Sequence, residues 1–277
     1  MSNNNCKTIS KLLTANNAAG KFIDNKMEKI ATYVINLDEA KDRKAYMESL
    51  LAKAGDILSV SFVSAVDGRN RSSEWISEHF DTSLSYKRYG RELSGAEIGC
   101  TLSHYMCYQK IAASQSNYAL ILEDDITLIR DLGEIVNLIP YVDCEKPVIL
   151  FLSGDYWFYK TRTINERNRL ASVYDAVGSY AYLINAAAVK VILKKNILPA
   201  CVAENWSLYR RQGVSLLAVY PYMVDANIED FSSFINQTYF GEIRRNMPWK
   251  YRLDSYWLSF WKRVLLRCGK FVSKIRK

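Results

Sequence analysis

The sequence lacks the signatures of several protein classes. Its six cysteines form no CxxC pair or other metal-ligand spacing, and no secretory leader precedes them. No run of about 18 apolar residues occurs, because the most apolar segment, residues 181–193, is short and contains Asn185 and Lys190. We therefore expect a protein of a reducing compartment that does not span a membrane.

Motifs for common phosphate chemistry are also missing. There is no GxxxxGKS/T loop and no set of kinase motifs. No internal repeat or low-complexity linker divides the chain. With 277 residues, of which 49% are hydrophobic, the chain is long enough for one large α/β domain or two small ones. Disorder of the whole chain is excluded.

Positive charge is concentrated at one end of the chain. Eleven Lys or Arg and one Asp give residues 244–277 a net charge of +10, and because the whole chain carries +8, the rest sums to −2. Helical spacing places six residues on one apolar face: Trp257, Trp261, Val264, Cys268, Phe271 and Ile275. A second face is basic and contains Arg263, Arg267, Lys270 and Lys274.

This pattern predicts a basic amphipathic tail, residues 244–277, that contacts an anionic membrane surface. The alternative is a helix that packs on the body of the protein and leaves its basic side in water. No nucleic-acid recognition motif accompanies the tail, so we expect no nucleic-acid partner.

At the other end, residues 1–26 are polar and predict a disordered extension. Met27 directly precedes the first convincing strand, and our hypothesis that translation starts there can be tested by intact mass.

The central residues begin with a strand, a helix and a second strand. Residues 30–37 and 57–63 have strand patterns, and residues 39–54 between them have helical spacing. This order is typical of a βαβ unit. The polar residues 67–92 follow, and since they are too many for a tight connection, they predict a binding loop.

The same alternation continues downstream. Ser94 and Glu97 fit a capping box that begins a helix through Ile111. Further strands are predicted at residues 118–122, 147–153, 178–184 and 214–219, and a further helix at residues 186–195. We predict one α/β domain, residues 27–243, with a mostly parallel central sheet.

Three consecutive acids, Glu123, Asp124 and Asp125, end the apolar run of residues 118–122. In open α/β sheets, ligands bind beyond the carboxyl ends of strands. Three carboxylates at such a place need a cation, and Mg²⁺ and Mn²⁺ combine carboxylate ligands with substrate phosphates. The triplet therefore predicts a phosphate ligand, with a solvated acidic turn or helix start as the alternative.

Four motifs carry a family resemblance. They are VINLD at residues 34–38 with Asp42 and Arg43, AVDG at 65–68, EIGC running to LSH at 97–104, and LILEDD at 120–125. A later block, residues 178–184 followed by Ala188 and Leu193, adds to them. In this order the motifs resemble glycosyltransferase family 25, which contains lipooligosaccharide galactosyltransferases of Gram-negative bacteria. The resemblance covers about residues 30–235.

The resemblance implies a GT-A-like nucleotide-sugar-binding fold and a UDP-sugar donor, usually UDP-galactose. It implies transfer of the hexose, with inversion, to a sugar of lipooligosaccharide or lipopolysaccharide. It also implies a cytoplasmic protein, peripheral on the inner face of the cytoplasmic membrane of a Gram-negative bacterium. Mn²⁺ or Mg²⁺ is the expected cofactor, because a cation on the diphosphate stabilises the charge that develops as the sugar leaves.

The metal ligands are predicted within the acidic triplet. Alternation along an extended strand end places Glu123 and Asp125 on one side and Asp124 on the other. We therefore predict Asp125 as the first metal ligand and Glu123 as the second, with ribose or a metal-bound water as the alternative contact of Glu123. Asp124 is a candidate donor-binding residue that supports the site.

Donor-binding candidates also lie at the end of the first strand and in the segments that follow. Asn36 and Asp38 could bind uracil or ribose, and Arg43 a phosphate. Locally, Asp38 could instead cap the helix, and Arg43 could form a surface ion pair. With the resemblance, the remaining candidates are Asp67, Glu97 and His104, whose alternatives are a turn residue, a cap partner and a core histidine.

An inverting transfer needs a base that removes the acceptor hydroxyl proton. The candidates are Asp155, just after a predicted strand, and Glu204, in a segment where family members often carry an Asp.

Two functions from other classes remain open. One is a different metal-dependent phosphotransfer or nuclease enzyme, and the other is a non-catalytic membrane-associated interaction protein.

Overall fold

The computed structural model describes residues 29–227 and 246–273. The predicted extension 1–26, Met27, and the basic residues Arg244, Arg245, Lys274, Arg276 and Lys277 lie outside the described residues. Among the described residues, no helix combines the length and the hydropathy needed to cross a bilayer.

The described residues form eleven strands, seven α-helices and two 3₁₀ helices. The strands are β1 Ile30–Asn36, β2 Leu58–Ser64, β3 Tyr118–Glu123, β4 Ile126–Leu128, β5 Val148–Phe151, β6 Asp155–Thr163, β7 Arg169–Val177, β8 Ala181–Asn185, β9 Ser215–Tyr220, β10 Val224–Ala226 and β11 Phe271–Val272. The α-helices are α1 Lys41–Ala52, α2 Ser73–His79, α3 Thr82–Tyr89, α4 Gly95–Ala113, α5 Ala186–Lys195, α6 Trp206–Arg211 and α7 Trp249–Arg267. Two 3₁₀ helices span Gly68–Asn70 and Leu132–Tyr141.

Nine of these strands form one sheet in the order β11-β6-β7-β9-β5-β8-β3-β1-β2. β1 pairs in parallel with β2 and β3, and β5 pairs in parallel with β9. β8 lies between β3 and β5 and is antiparallel to both. β3 and β5 therefore run in the same direction as β1, with one reversed strand between them.

The prediction of a mostly parallel sheet is wrong, because five of the eight pairs described in this sheet are antiparallel. All five residues of β8 are buried. A strand covered on both faces is a continuous apolar run whatever its direction, so the sequence pattern of β8 contains no information on direction. The predicted α/β class is confirmed.

Two helical layers cover the sheet. On one face, α4, α5 and α6 pack around Tyr108, Tyr182 and Trp206. On the other face, α1 and the second 3₁₀ helix pack through Met47 and Leu138. The buried aromatic and aliphatic side chains on both faces make the sheet the centre of one α/β/α unit.

Two segments differ from their predictions. Residues 67–92, predicted as a binding loop, are mostly helical: Ser72 caps α2, Asp81 caps α3, and Gly90, with φ 66°, ends α3. Short capped helices in a polar segment have too few turns for a clear apolar period. The predicted helical face through Phe271 is also wrong, since α7 ends at Arg267 and β11 joins the edge of the sheet by pairing with β6.

Candidate functional site

One edge of the sheet brings together the predicted polar residues. β1, β3 and β5 run in the same direction and therefore end at the same edge. β8 is reversed and begins there, with Ala181 opposite Leu122 and the Tyr180 carbonyl accepting a hydrogen bond from the Glu123 amide at 2.8 Å. The edge is thus formed by the ends of β1 and β3 and by the segment that leads into β8.

Asp124 is the centre of a buried polar network at this edge. Asn36 Nδ2 donates to Asp124 Oδ2 at 2.7 Å, and Arg43 Nη1 donates to Asp124 Oδ1 at 3.0 Å. All three residues are buried. Arg43 is therefore not a surface ion pair but joins α1 to the end of β3. Both Asp124 oxygens are engaged, so this carboxylate supports the site rather than offering a free oxygen.

Asp125 is the residue of the triplet with an unsatisfied oxygen. Its Oδ1 is buried and has no hydrogen-bond partner among the described residues, and its Oδ2 lies 3.6 Å from Arg43 Nη1. Burial, followed by the charges of Glu123 and Asp124, raises the pKa of Asp125 to about 7, although Arg43 opposes this shift. A buried carboxylate with these properties is stabilised by a cation.

Glu123 is held by residues of α4 and of the segment before β8. The Ser179 hydroxyl donates to Glu123 Oε1, and His104 Nε2 lies 3.4 Å from the same oxygen. The other ring nitrogen of His104 is 2.7 Å from the Tyr182 hydroxyl, which in turn is 2.9 Å from the Tyr108 hydroxyl. His104 is buried and has its ring orientation fixed from both sides.

The residues fit a divalent cation. Asp125 offers a buried oxygen without a partner, and Glu123 lies close enough to raise its pKa. The Cys100 thiol, the His104 ring and the Glu123 carboxylate also place one donor atom each within 4.8 Å of one another. Carboxylate oxygens suit Mg²⁺ and Mn²⁺, and imidazole is accepted by transition metals.

The two predicted bases lie at the same edge. The Gly178 amide donates to Glu204 Oε2 at 2.6 Å, and burial together with the nearby Glu123 charge raises the pKa of Glu204 above its ordinary value. Asp155 begins β6, and its Oδ2 accepts from the Ser273 hydroxyl at 3.4 Å. The charges of both act on Tyr180, whose pKa is raised by burial and by these and other acids of the edge.

The remaining candidates make local contacts. Asp67 caps the first 3₁₀ helix and pairs with Arg69 at 2.7 Å. Glu97 accepts from Ser94 and Arg91, so its alternative role as the cap partner of Ser94 is confirmed. Asp38 accepts from the Ser64 hydroxyl at 2.5 Å and makes no cap of α1, whose N-cap residue is Ala40.

Comparison with known proteins identifies the family. Residues 29–200 match the family model described as "Glycosyltransferase family 25 (LPS biosynthesis protein)". The chain belongs to glycosyltransferase family 25. The resemblance stated from the four motifs is thereby confirmed.

Individual relatives match parts of their own length. A protein named as a glycosyltransferase in Acanthamoeba polyphaga mimivirus is 30% identical over 72% of this chain and 63% of its own length. Procollagen galactosyltransferase 1-B of Xenopus laevis is 32% identical over 38% of this chain and 18% of its own. The inactive glycosyltransferase 25 family member 3 of Homo sapiens is 30% identical over 50% of this chain and 23% of its own. The chain therefore spans less than two thirds of each of these relatives.

Among solved structures, the chain is similar to a glycosyltransferase from Streptococcus pneumoniae. The similarity covers 90% of this chain and 66% of that chain, with 13% sequence identity and a TM-score of 0.29.

Three glycines, two of them in the AVDG and EIGC motifs, allow close contact between backbone segments. A Cβ atom on Gly99 would lie 2.3 Å from the Val66 carbonyl oxygen, and one on Gly95 would lie 2.4 Å from the Gly68 carbonyl oxygen. A Cβ atom on Gly68 would lie 2.1 Å from the Gly95 carbonyl oxygen. The AVDG turn therefore packs directly on the first turns of α4, which fixes the helix that carries His104.

Cys100, Ser179 and Tyr180 were not among the site residues predicted from the sequence. Helical spacing places Cys100 on the same side of α4 as His104, one turn before it, but that spacing alone did not make it a predicted ligand. Ser179 and Tyr180 are polar residues inside a segment predicted as a strand. Their position at the edge follows only from the reversed direction of β8, which the sequence does not show.

Proposed function

We propose that the protein transfers a hexose, galactose from UDP-galactose, to a sugar hydroxyl of a lipooligosaccharide or related glycan, with inversion at the anomeric carbon. Family membership supports a glycosyl transfer reaction, and the name of the Xenopus laevis relative supports galactose. The observation that carries the proposal is the buried, unpartnered oxygen of Asp125 beside Glu123, at the edge where a sheet of this class binds its ligand. A GT-A-like donor site is part of the same proposal.

The site contains residues that would bind a cation and residues that hold those ligands in position. Asp125 and Glu123 would hold Mn²⁺ or Mg²⁺, which supplies charge stabilisation for the departing diphosphate. Arg43 and Asn36 each donate a hydrogen bond to Asp124, and Arg43 also lies 3.6 Å from Asp125. His104 and Ser179 fix the Glu123 carboxylate. This arrangement orients the carboxylates before the donor binds.

We assign the proton transfer to Glu204. Its carboxylate takes the acceptor hydroxyl proton while that oxygen bonds to the anomeric carbon, and the bond from the anomeric carbon to the diphosphate oxygen breaks with UDP as the leaving group. The Gly178 amide donates a hydrogen bond to one oxygen of Glu204. The raised pKa of Glu204 makes this carboxylate a stronger base than an exposed one. The charge of Glu204 contributes to raising the pKa of the Cys100 thiol, which lies beside His104 and Glu123.

Glu204→Gln should lower kcat by about 10²–10⁴-fold, because a positioned general base contributes a factor of this size. The donor KM should change little, since the hydrogen bond described for Glu204 comes from the Gly178 amide and not from a residue of the acidic triplet. Initial rates of transfer to an acceptor glycan measure both constants. Asp155→Asn is the matched control, and a larger kcat loss in Asp155→Asn than in Glu204→Gln would reverse the assignment.

UDP together with Mn²⁺ should raise the melting temperature of the protein more than ATP or duplex DNA does. A ligand that binds only the folded state at 100 times its Kd stabilises it by about 2.7 kcal/mol. Differential scanning fluorimetry with Mn²⁺ alone as the control measures this effect. Hydrolysis or transfer from UDP-galactose, UDP-glucose and UDP-N-acetylhexosamines then identifies the donor.

Other outcomes of the same measurement point to the other two function classes. A shift with ATP or DNA but none with UDP would indicate a phosphotransfer or nuclease enzyme. The absence of any nucleotide effect, with or without Mn²⁺, would indicate a non-catalytic interaction protein.

A further inference from the structure

α7 presents a row of large apolar side chains to solvent. We call Trp249, Leu253, Tyr256, Trp257 and Phe260 the aromatic row, and their exposed fractions are 70%, 57%, 50%, 62% and 52%. At 100° per residue these positions share one face of the helix. The Trp257 and Phe260 rings stack with their centroids 5.8 Å apart. The row is a continuous apolar strip, which is unusual on the surface of a soluble monomer.

The opposite face of α7 is fixed to the body of the protein. Leu265 is buried, and Lys262 Nζ forms an ion pair with Asp175 Oδ2 at 2.6 Å. The Lys262 ammonium also lies 3.9 Å from the centre of the Trp157 ring. Beyond the helix, β11 pairs with β6. These contacts place the aromatic row on the side of α7 that faces solvent.

Basic residues surround the aromatic row. Helical spacing places Arg252 and Arg263 along one side of it, Lys250 along the other and Arg267 at its end. The described residues give none of these four side chains an ion-pair partner. The one acid of the helix, Asp254, is paired with Arg211 at 3.1 Å. The exposed charge around the row is therefore positive.

We propose that α7 lies in the plane of an anionic lipid membrane, with the aromatic row at the boundary between headgroups and acyl chains. Trp, Tyr and Phe side chains favour this boundary, and Arg and Lys beside them are attracted to anionic headgroups. An anionic membrane matches both the apolar aromatic row and the positive charge around it. A neutral apolar groove on a partner protein would match the row but leave the basic side chains without opposite charges. On the inner face of a cytoplasmic membrane, such a position would keep the protein near a lipid-linked glycan.

The full-length protein should sediment with vesicles of phosphatidylcholine containing 30% phosphatidylglycerol, and far less with vesicles of phosphatidylcholine alone. The double variant Trp257→Ser with Phe260→Ser should lower the partition coefficient at least tenfold. The double variant Arg263→Gln with Arg267→Gln should lower binding to the anionic vesicles and make it less sensitive to salt. Because all four side chains are solvent-facing or partly so, the melting temperatures of these variants should match the parent.

Ile197→Ser is the matched control, since Ile197 is 91% exposed but lies between α5 and α6, outside the aromatic row. This variant should bind vesicles like the parent. The proposal is overturned if the parent does not bind anionic vesicles, or if the aromatic variant binds as well as Ile197→Ser. It is also overturned if light scattering shows a dimer that the aromatic variant dissociates, because the row would then be the contact between two copies. None of these outcomes depends on the donor or the reaction.

Discussion

Asp125→Asn is expected to abolish divalent-dependent sugar transfer, with a loss of at least about 10²–10³-fold in kcat, the range found when one group that stabilises developing charge is removed. The amide has the shape of the carboxylate but no negative charge, so the cation loses the ligand that Arg43 and Asp124 hold in place. Steady-state transfer from the UDP-sugar identified in the donor screen, with Mn²⁺ and with EDTA, measures this loss.

The same variant gives a second, independent result in the absence of metal. The pKa of Asp125 is raised from 3.8 to about 7, so the folded state binds this proton more tightly than the unfolded chain does. The free energy of unfolding therefore falls as pH rises from about 4 through about 7, by about 1.4 kcal/mol for each unit of the pKa difference. Asp125→Asn removes the charge and should be the more stable protein above pH 7 in EDTA.

Urea unfolding at pH 5 and pH 8 in EDTA measures this difference. Asp143→Asn, at an exposed acid remote from the edge, is the control and should follow the parent in both activity and stability. Near-normal turnover of Asp125→Asn would remove Asp125 from the reaction. A variant that loses activity but shows the parent's pH dependence would show that the raised pKa belongs to another group.

Gly99→Ala should destabilise the protein by about 2–3 kcal/mol, the upper part of the range for overpacking. In an open helix, alanine would instead gain about 1 kcal/mol over glycine. The added Cβ would meet the Val66 carbonyl oxygen at 2.3 Å and the Gly68 amide nitrogen at 2.7 Å, and backbone atoms cannot rotate out of the way as side chains do. The turn at residues 65–68 must therefore move away from α4.

The urea midpoint of unfolding measures the change. Gln109→Ala is a suitable control because Gln109 is exposed on the same helix and the substitution should be nearly neutral. If Gly99→Ala is as stable as Gln109→Ala, the close approach of the turn and the helix does not hold in solution, and the AVDG and EIGC motifs need a different explanation.

Sequence patterns were sufficient for part of the regular elements and for part of the site. The buried run before Glu123 and the βαβ opening define β1, α1, β2 and β3, and the carboxyl-end rule brings Asn36 and Arg43 to the acidic triplet. These residues meet because β1 and β3 are parallel neighbours whose carboxyl ends lie at the same edge of the sheet. The positions of these residues along the sequence were therefore enough to predict that they lie at the same edge.

Other features depend on contacts between distant segments. The direction of β8 decides that Ser179 and Tyr180 reach the edge, and a fully buried strand has the same apolar pattern in either direction. The β6–β7 hairpin was not predicted because register shifts interrupt the alternation near Phe158. Asp67 and Glu97 instead make local contacts, a turn and a helix cap, which the sequence had offered as alternatives to donor binding.

The reversal of β8 has a consequence for how this scaffold can diversify. β8 starts at the edge where β3 and β5 end. Any lengthening of the short link between β7 and β8 would therefore change the candidate site directly. The link between α4 and β3, around Asn117, lies at the far rim beside the last residue of β8. Insertions there would change only the remote surface, so grafted modules or tags should be tolerated at that site and not at the other.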